Sequence, residues 1–374
     1  MQATRQDTRD AAQIAKHSAL SAAHDEGRMN AMKTTLQSIP EYSDVDDATF
    51  KRDIATQYRP AVLRGFVKHW PAVKQAIDSP EAICQYLMAL DSGKTVDVLL
   101  LAPETRGRVF YQPDLNGFNF IRNLLPISAV IEQIVRYSHF EHPPSVAVQS
   151  ALIADCLPGF GEDNKLTALD ASVQPRIWMG NSIATPAHID ESNNIACVVA
   201  GKRRFTLFPP EQVGNLYLGP VDYTPTGSPI SMVDFSVPDF DRFPRFRDAL
   251  AAGFAAELEP GDAIFIPTLW WHHVASLRDL NILVNYWWKA SASVAASRTS
   301  PGSAYDCLMH CLLNMRDMPP EQRAGWKAIF DHFVFDPKPG LAAHIPENRH
   351  GLLGDFSPEH AREIREWLER RLKA

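Results

Sequence analysis

The chain has 374 residues, 45% of them hydrophobic and 22% charged, and a formal net charge of −7. This length and apolar content can fill one large core with additions, and they exclude a disordered or fibrous chain. The acidic balance works against phosphate backbones as general partners, and no apolar run approaches the roughly 20 residues that span a bilayer.

Residues 1–37 are polar, Ala-rich and mixed in charge, and read as an N-terminal arm or loosely attached helix. They lack the apolar stretch of a signal peptide, so the expected compartment is the cytoplasm. Asp47 to Tyr58 carries Phe50, Ile54 and Tyr58 at four-residue spacing and predicts a helix that Arg59-Pro60 stops. Ala61 to Phe66 is a short apolar strand with Gly65 near its end, and Trp70-Pro71 opens a helix running through Ile83, Leu87 and Leu90. Thr95 to Leu101 and Val109 to Tyr111 read as strands, Leu124 to Ser138 as a helix.

From Val146 to Trp288 the pattern becomes short β-rich runs divided by Pro and Gly: 145–152, 176–179, 185–190, 195–199, 204–208, 255–258, 263–266, 273–277 and 282–287. So many short strands predict a sandwich or barrel. Beyond Ala290 the pattern is helical again, with an apolar stripe at Tyr305, Leu308, Met309, Leu312 and Leu313. Ser357-Pro358-Glu359 starts a charged last helix with Ser as cap and Pro at its first position. Three parts are expected: the arm 1–37, a domain 38–290, and a helical region 291–374. Cys84, Cys156, Cys197, Cys307 and Cys311 include no CxxC pair, which argues against a zinc knuckle, and Cys307 and Cys311, four apart, read as a pair of reduced, partly buried thiols.

Thr185-Pro186-Ala187-His188-Ile189-Asp190 lies on an expected strand, where positions i and i+2 share a face. His188 and Asp190 can therefore reach one metal from one wall, and a second imidazole would complete the two-His, one-carboxylate set of non-haem iron oxygenases. The Pro260-Gly261-Asp262 turn leads through a buried strand to Trp270-Trp271-His272-His273, where His272 is the candidate and His273 faces the other way. A His-x-Asp triplet by itself equally fits hydrogen-bonded core residues.

Taken together these stretches resemble the JmjC-type, cupin-like hydroxylase family, and most closely its asparaginyl hydroxylase branch, the factor-inhibiting-HIF type. The text that carries the resemblance is 185–191, Asn194, 201–210, Asp239-Phe240-Asp241-Arg242-Phe243-Pro244, the 260–262 turn, 270–273 and Val284-Asn285-Tyr286-Trp287. Arg59 to Gly65 and Trp70-Pro71 resemble the family's opening. The resemblance implies a double-stranded β-helix (jelly-roll, cupin/JmjC) barrel, mainly β, with N-terminal helices and strands and a C-terminal helical region. It implies a dioxygenase using Fe(II), 2-oxoglutarate and dioxygen to hydroxylate a protein side chain.

Residue by residue, the resemblance gives His188, Asp190 and His272 as iron ligands. It gives Thr185 as a hydroxyl on the distal carboxylate of 2-oxoglutarate, Asn194 and Asn285 as amides near its other carboxylate, and Trp287 as a pocket wall. Two departures stand out. Where the family has a Lys on the distal carboxylate this chain has Arg203, with Lys202 ranked behind it; Arg is a good bidentate partner for a carboxylate. Where the branch has a Tyr before a Gln, this chain has Ala147, and Gln149 keeps the Gln position and is a substrate candidate with Tyr111. Two rival readings stay open: a metal-dependent cupin enzyme without 2-oxoglutarate, and a non-catalytic cupin-like binding module. A protein or peptide is the expected substrate, with a small molecule as alternative. A nucleic-acid partner is disfavoured by charge, Lys202-Arg203-Arg204 being the cluster to check. The C-terminal stripes suggest a homodimer, as in the family.

Overall fold

The computed structural model describes residues 36–289, 303–354 and 358–372. Contacts divide the chain into two compact units, with the break between Trp288 and Lys289.

The first unit is a two-sheet jelly roll. Its strands among the described residues are β1 (Gln37–Ser38), β2 (Glu41–Ser43), β3 (Ala61–Arg64), β4 (Val96–Leu101), β5 (Phe120–Leu125), β6 (Ser145–Leu152) and β7 (Arg176–Gly180). They continue as β8 (Ala184–His188), β9 (Asn193–Ala200), β10 (Arg203–Phe208), β11 (Phe254–Leu258), β12 (Ala263–Ile266), β13 (Trp271–Ser276) and β14 (Asn281–Trp288). The smaller sheet runs β1-β11-β10-β13-β8 and the larger β2-β3-β12-β9-β14-β7-β6-β4-β5.

Two apolar clusters use the alternation of these strands. Ile195, Cys197 and Val199 of β9 join Phe50, Trp70, Ile83 and Val130 in a cluster beneath the helices. Ala196 and Val198 join Val62, Phe205, Leu207 and Ile264 in a second cluster between the sheets. Both faces of β9 are covered, so every residue of it is buried and the strand reads as an apolar run without polar alternation.

Turn chemistry fixes the strand ends. Gly261 has φ +97°, and the carboxylate of Asp262 accepts from the backbone N–H of Gly65 (2.9 Å) and Glu259 (3.1 Å) while pairing with Arg64 (2.6 Å). This locks the 260–262 turn against β3. Gly201 turns the chain from β9 into β10 at φ +77°, where a Cβ would lie 2.3 Å from the Leu280 carbonyl oxygen.

Several elements differ from the sequence reading. The helix expected over 47–58 is one turn, Asp47–Thr49, followed by a wider π turn ending at Ile54. The helix expected after Trp70 is two, Pro71–Asp78 and Pro80–Leu90, because Ser79 takes extended backbone and caps the second by accepting from Ala82 N–H at 3.0 Å. Of residues 109–111 only Tyr111 is in an isolated bridge, to Phe118, and the helix expected from Leu124 starts at Ile127, since 120–125 pairs with β4. A helix at Phe246–Ala252 had no counterpart in the reading. The expected 1–37 arm falls almost wholly outside the described residues; its last residue, Gln37, pairs with Phe254 in the sheet.

The second unit contains helices Ala304–Met315, Pro320–Phe330 and Pro358–Leu372. The first opens with a capping box between Ser303 and Asp306. Ser357, the expected cap of the last, lies outside the described residues. Cys307 is exposed rather than partly buried, and all five cysteines are free thiols.

Gly201→Ala would combine a left-handed backbone with a clash against a carbonyl. It should cost roughly 2–5 kcal/mol in urea unfolding. A loss under about 0.5 kcal/mol, the range of a neutral surface change, would contradict this account of the turn.

Candidate metal centre

β8 and β13 run antiparallel, and His188 is the direct cross-strand partner of His272. Their ring centroids are 4.2 Å apart. Asp190 follows β8, and its carboxylate oxygen lies 3.6 Å from His272 Nε2. One ligand atom from each of the three falls within 4.8 Å of the others, near the span of about 4 Å across one coordinated divalent ion. Asp190 and His272 are buried.

The atoms around these side chains fix their orientation. His188 Nδ1 sits 2.8 Å from the Pro186 carbonyl oxygen and His272 Nδ1 3.0 Å from that of Trp270. A carbonyl only accepts, so each Nδ1 carries the proton and each Nε2 keeps a lone pair for a metal. Trp287 Nε1 donates to Asp190 Oδ2 at 3.0 Å. The backbone oxygen of Asp190 accepts from Leu269 N–H (2.9 Å). Leu269 holds φ +65°, a left-handed conformation uncommon for a branched side chain, so this corner is strained where the carboxylate is held.

Thr185 is three residues before His188, a spacing that puts side chains on opposite faces of a regular strand. The ladder slips here: His188 faces His272 but Thr185 faces Val274. The bulge turns Thr185 to the side that carries His188. Arg203 shares its face of β10 with Phe205 and Leu207, and Leu207 is the cross-strand partner of His272. Arg203 therefore faces between the sheets on the metal side. Lys202 points away and pairs with Glu257 (2.9 Å) and Glu259 (3.5 Å).

Arg203 is buried at 8% exposure, no acidic side chain pairs with it among the described residues, and its Nε has no hydrogen-bond partner. Burial pushes its pKa down to about 10, so the guanidinium stays charged at neutral pH. A buried, unpaired cation is costly unless an anion joins it.

Asn194 and Asn285 meet inside the larger sheet, Asn285 Nδ2 donating to Asn194 Oδ1 at 3.3 Å. Trp178, which the sequence reading did not single out, donates to Asn285 Oδ1 at 2.9 Å. Nothing in the sequence marked it among eight tryptophans. Tyr111 is buried among Phe110, Phe118 and Tyr223, and its hydroxyl donates to the Tyr223 carbonyl at 2.6 Å. Gln149 is half-buried on β6. Ala147 packs with Leu99, Leu101 and Val109, with no hydroxyl in its place. His273 stacks on Phe235 at 4.6 Å, and burial pushes its pKa down to about 3.

A profile of the cupin-like domain matches residues 47–293, about two thirds of the chain. The chain belongs to the JmjC-type cupin-like family. This cupin-like chain is 28% identical over 316 residues to tRNA wybutosine-synthesizing protein 5 of Danio rerio, covering 76% of this chain and 88% of that one. It is 26% identical over 241 residues to Lysine-specific demethylase 8 of Xenopus tropicalis, covering 64% and 50%. It is 37% identical over 113 residues to HSPB1-associated protein 1 of Homo sapiens, covering 30% and 22%. The chain thus spans half of one of these relatives and about a fifth of another. None of the three is named as an asparaginyl hydroxylase, so the comparison supports the family and not that branch.

Enzymes of this family generally use Fe(II) and 2-oxoglutarate. The residues present fit both groups. Two imidazoles oriented through their Nδ1 contacts and one carboxylate suit iron, and the unpaired guanidinium suits a carboxylate.

Removing either imidazole, in His188→Ala or His272→Ala, should weaken divalent metal binding by more than about 100-fold, the upper range for losing a mere supporting contact. Anaerobic calorimetry with Mn(II) reads this directly, and wild-type affinity in both variants would remove the centre.

Proposed function

We propose that this protein is an Fe(II)- and 2-oxoglutarate-dependent dioxygenase that hydroxylates a protein side chain. The buried Arg203 guanidinium, unpaired on the same face as the His188–Asp190–His272 cluster, carries the reading. A metal cupin without a diacid cosubstrate has no use for such a charge, and a binding module has none for two imidazoles held with their Nε2 lone pairs inward.

His188, Asp190 and His272 hold the metal, leaving positions open for cosubstrate and dioxygen. Arg203 and Thr185 bind the distal carboxylate of 2-oxoglutarate, Asn194 and Asn285 lie by its other end, and Trp287 fixes Asp190. The bound iron supplies oxygen activation: 2-oxoglutarate and dioxygen become succinate and carbon dioxide, and one oxygen atom enters a substrate C–H bond. Trp270 and Trp271, both buried, keep water away from the ligands.

The protein-side-chain assignment draws on the resemblance and on the relative named as a lysine-specific demethylase. A nucleic-acid substrate is favoured by one observation, that a relative with broad coverage is named for tRNA modification. The net charge of −7 weighs against it. Five free thiols suit a reducing compartment and the cytoplasm; among the described residues no helix is long and apolar enough to cross a membrane. We also propose a homodimer through the second unit. Leu313, Phe335 and Leu372 there are 83%, 75% and 65% exposed, and few of its described residues are buried.

Anaerobic addition of Fe(II) and then 2-oxoglutarate should produce a visible metal-to-ligand charge-transfer band. Arg203→Ala should raise the 2-oxoglutarate concentration needed by at least about tenfold, and Lys202→Ala by less than twofold, given the difference between a buried and an exposed charge. Equal effects would sink the Arg203 assignment, and no band in the wild type would sink the oxygenase. Size-exclusion chromatography with light scattering should give twice the chain mass, falling to one with Leu313→Glu and Phe335→Glu together; a monomeric wild type would refute the dimer.

A further inference from the structure

Three side chains on the inner face of the larger sheet form one hydrogen-bonded chain. Trp178 Nε1 donates to Asn285 Oδ1 at 2.9 Å, and Asn285 Nδ2 donates to Asn194 Oδ1 at 3.3 Å. β14 lies between β7 and β9 in the sheet, so the chain crosses three neighbouring strands.

An amide can be turned end for end, but an indole N–H only donates. Asn285 must therefore present its oxygen to Trp178 and its amino group to Asn194. Asn194 in turn spends its oxygen on Asn285, and its amino group is the end of the chain. Asn194 is buried at 5% exposure, and its contact with Asn285 uses its oxygen and not its amino group. Trp178 also meets Trp287 edge-on at 6.1 Å and 85°, and Trp287 donates to the Asp190 carboxylate. Asn194 is the cross-strand partner of Trp287, so the chain ends next to the side chain that donates to Asp190.

We propose that Trp178 is a positioning residue: its indole N–H sets the orientation of both amides, so that Asn194 offers a donor, not a carbonyl oxygen, to the carboxylate beside the keto group of 2-oxoglutarate. This rests on the oxygenase reading above. Without the indole both amides can reverse together, which keeps a hydrogen bond between them but turns the Asn194 carbonyl oxygen toward the carboxylate. The role would also offset in part the hydroxyl missing at Ala147, which packs among apolar side chains.

The test uses the full chain loaded anaerobically with Fe(II) and titrated with 2-oxoglutarate, reading the charge-transfer band. Trp178→Phe keeps the ring and removes the donor. Its 2-oxoglutarate dissociation constant should rise about five- to tenfold, the worth of one such hydrogen bond, with Fe(II) affinity unchanged. In an Asn194→Ala background, where the last amide is gone, Trp178→Phe should add less than twofold, because the two act through one chain. Equal losses in both backgrounds, or a parallel loss of Fe(II) affinity, would assign Trp178 to packing alone and overturn the proposal. Wild-type 2-oxoglutarate affinity in Trp178→Phe would overturn it as well. A wild type without the band fails at an earlier step, and takes down the oxygenase reading together with this inference.

Discussion

The pairing of β8 with β13 is the constraint on which the site depends. A register slip of one residue would send His188 and His272 to opposite faces, because side chains alternate along a strand. The observed register places them as direct partners, and the bulge beside them turns Thr185 to the same side. One irregularity in one ladder thus brings His188, His272 and Thr185 to one side. The strand ends are held in turn: Asp190 by the strained Leu269 corner, and β10 by the left-handed Gly201.

Electrostatics divides the neighbouring cations by role. Lys202 and Arg203 are adjacent, but Lys202 lies against Glu257 and Glu259 at the surface while Arg203 is buried unpaired. The first is an ordinary exposed ion pair that contributes little. The second costs stability in the ligand-free protein, and that cost is offset when an anion enters. Such a charge, on the face that carries His272, is retained at the expense of stability, as polar groups of binding sites often are.

The second unit follows a different logic. The jelly roll has large apolar clusters between and beneath its sheets, whereas the helices beyond residue 303 bury few of their described residues and leave large apolar side chains in solvent. Helices of 11 to 15 residues are marginal alone in water. Their stability has to come from packing, and the exposed faces are where it is still to be made.

Much of this was legible in the chain itself. The nine β-rich runs between 145 and 287 all became strands, since period-two apolar patterning and Gly/Pro turns are local signals. His188, Asp190 and His272 could be named because the x-spacing on a strand and the motif text are local too. The pairing that unites them was not, since His188 and His272 lie 84 positions apart in the chain, and only the ladder decides their register. Nor was the edge strand at 120–125, where Leu124 and Leu125 look helical until β4 supplies a hydrogen-bonding partner. Trp178 carried no signal at all: its importance is an indole N–H aimed at an amide 107 residues later. Sequence determined which residues have the chemistry and where most of the strands lie. The tertiary structure decided which of them face each other, which charge is left unpaired and which amide is locked, because those depend on burial and register that no local pattern encodes.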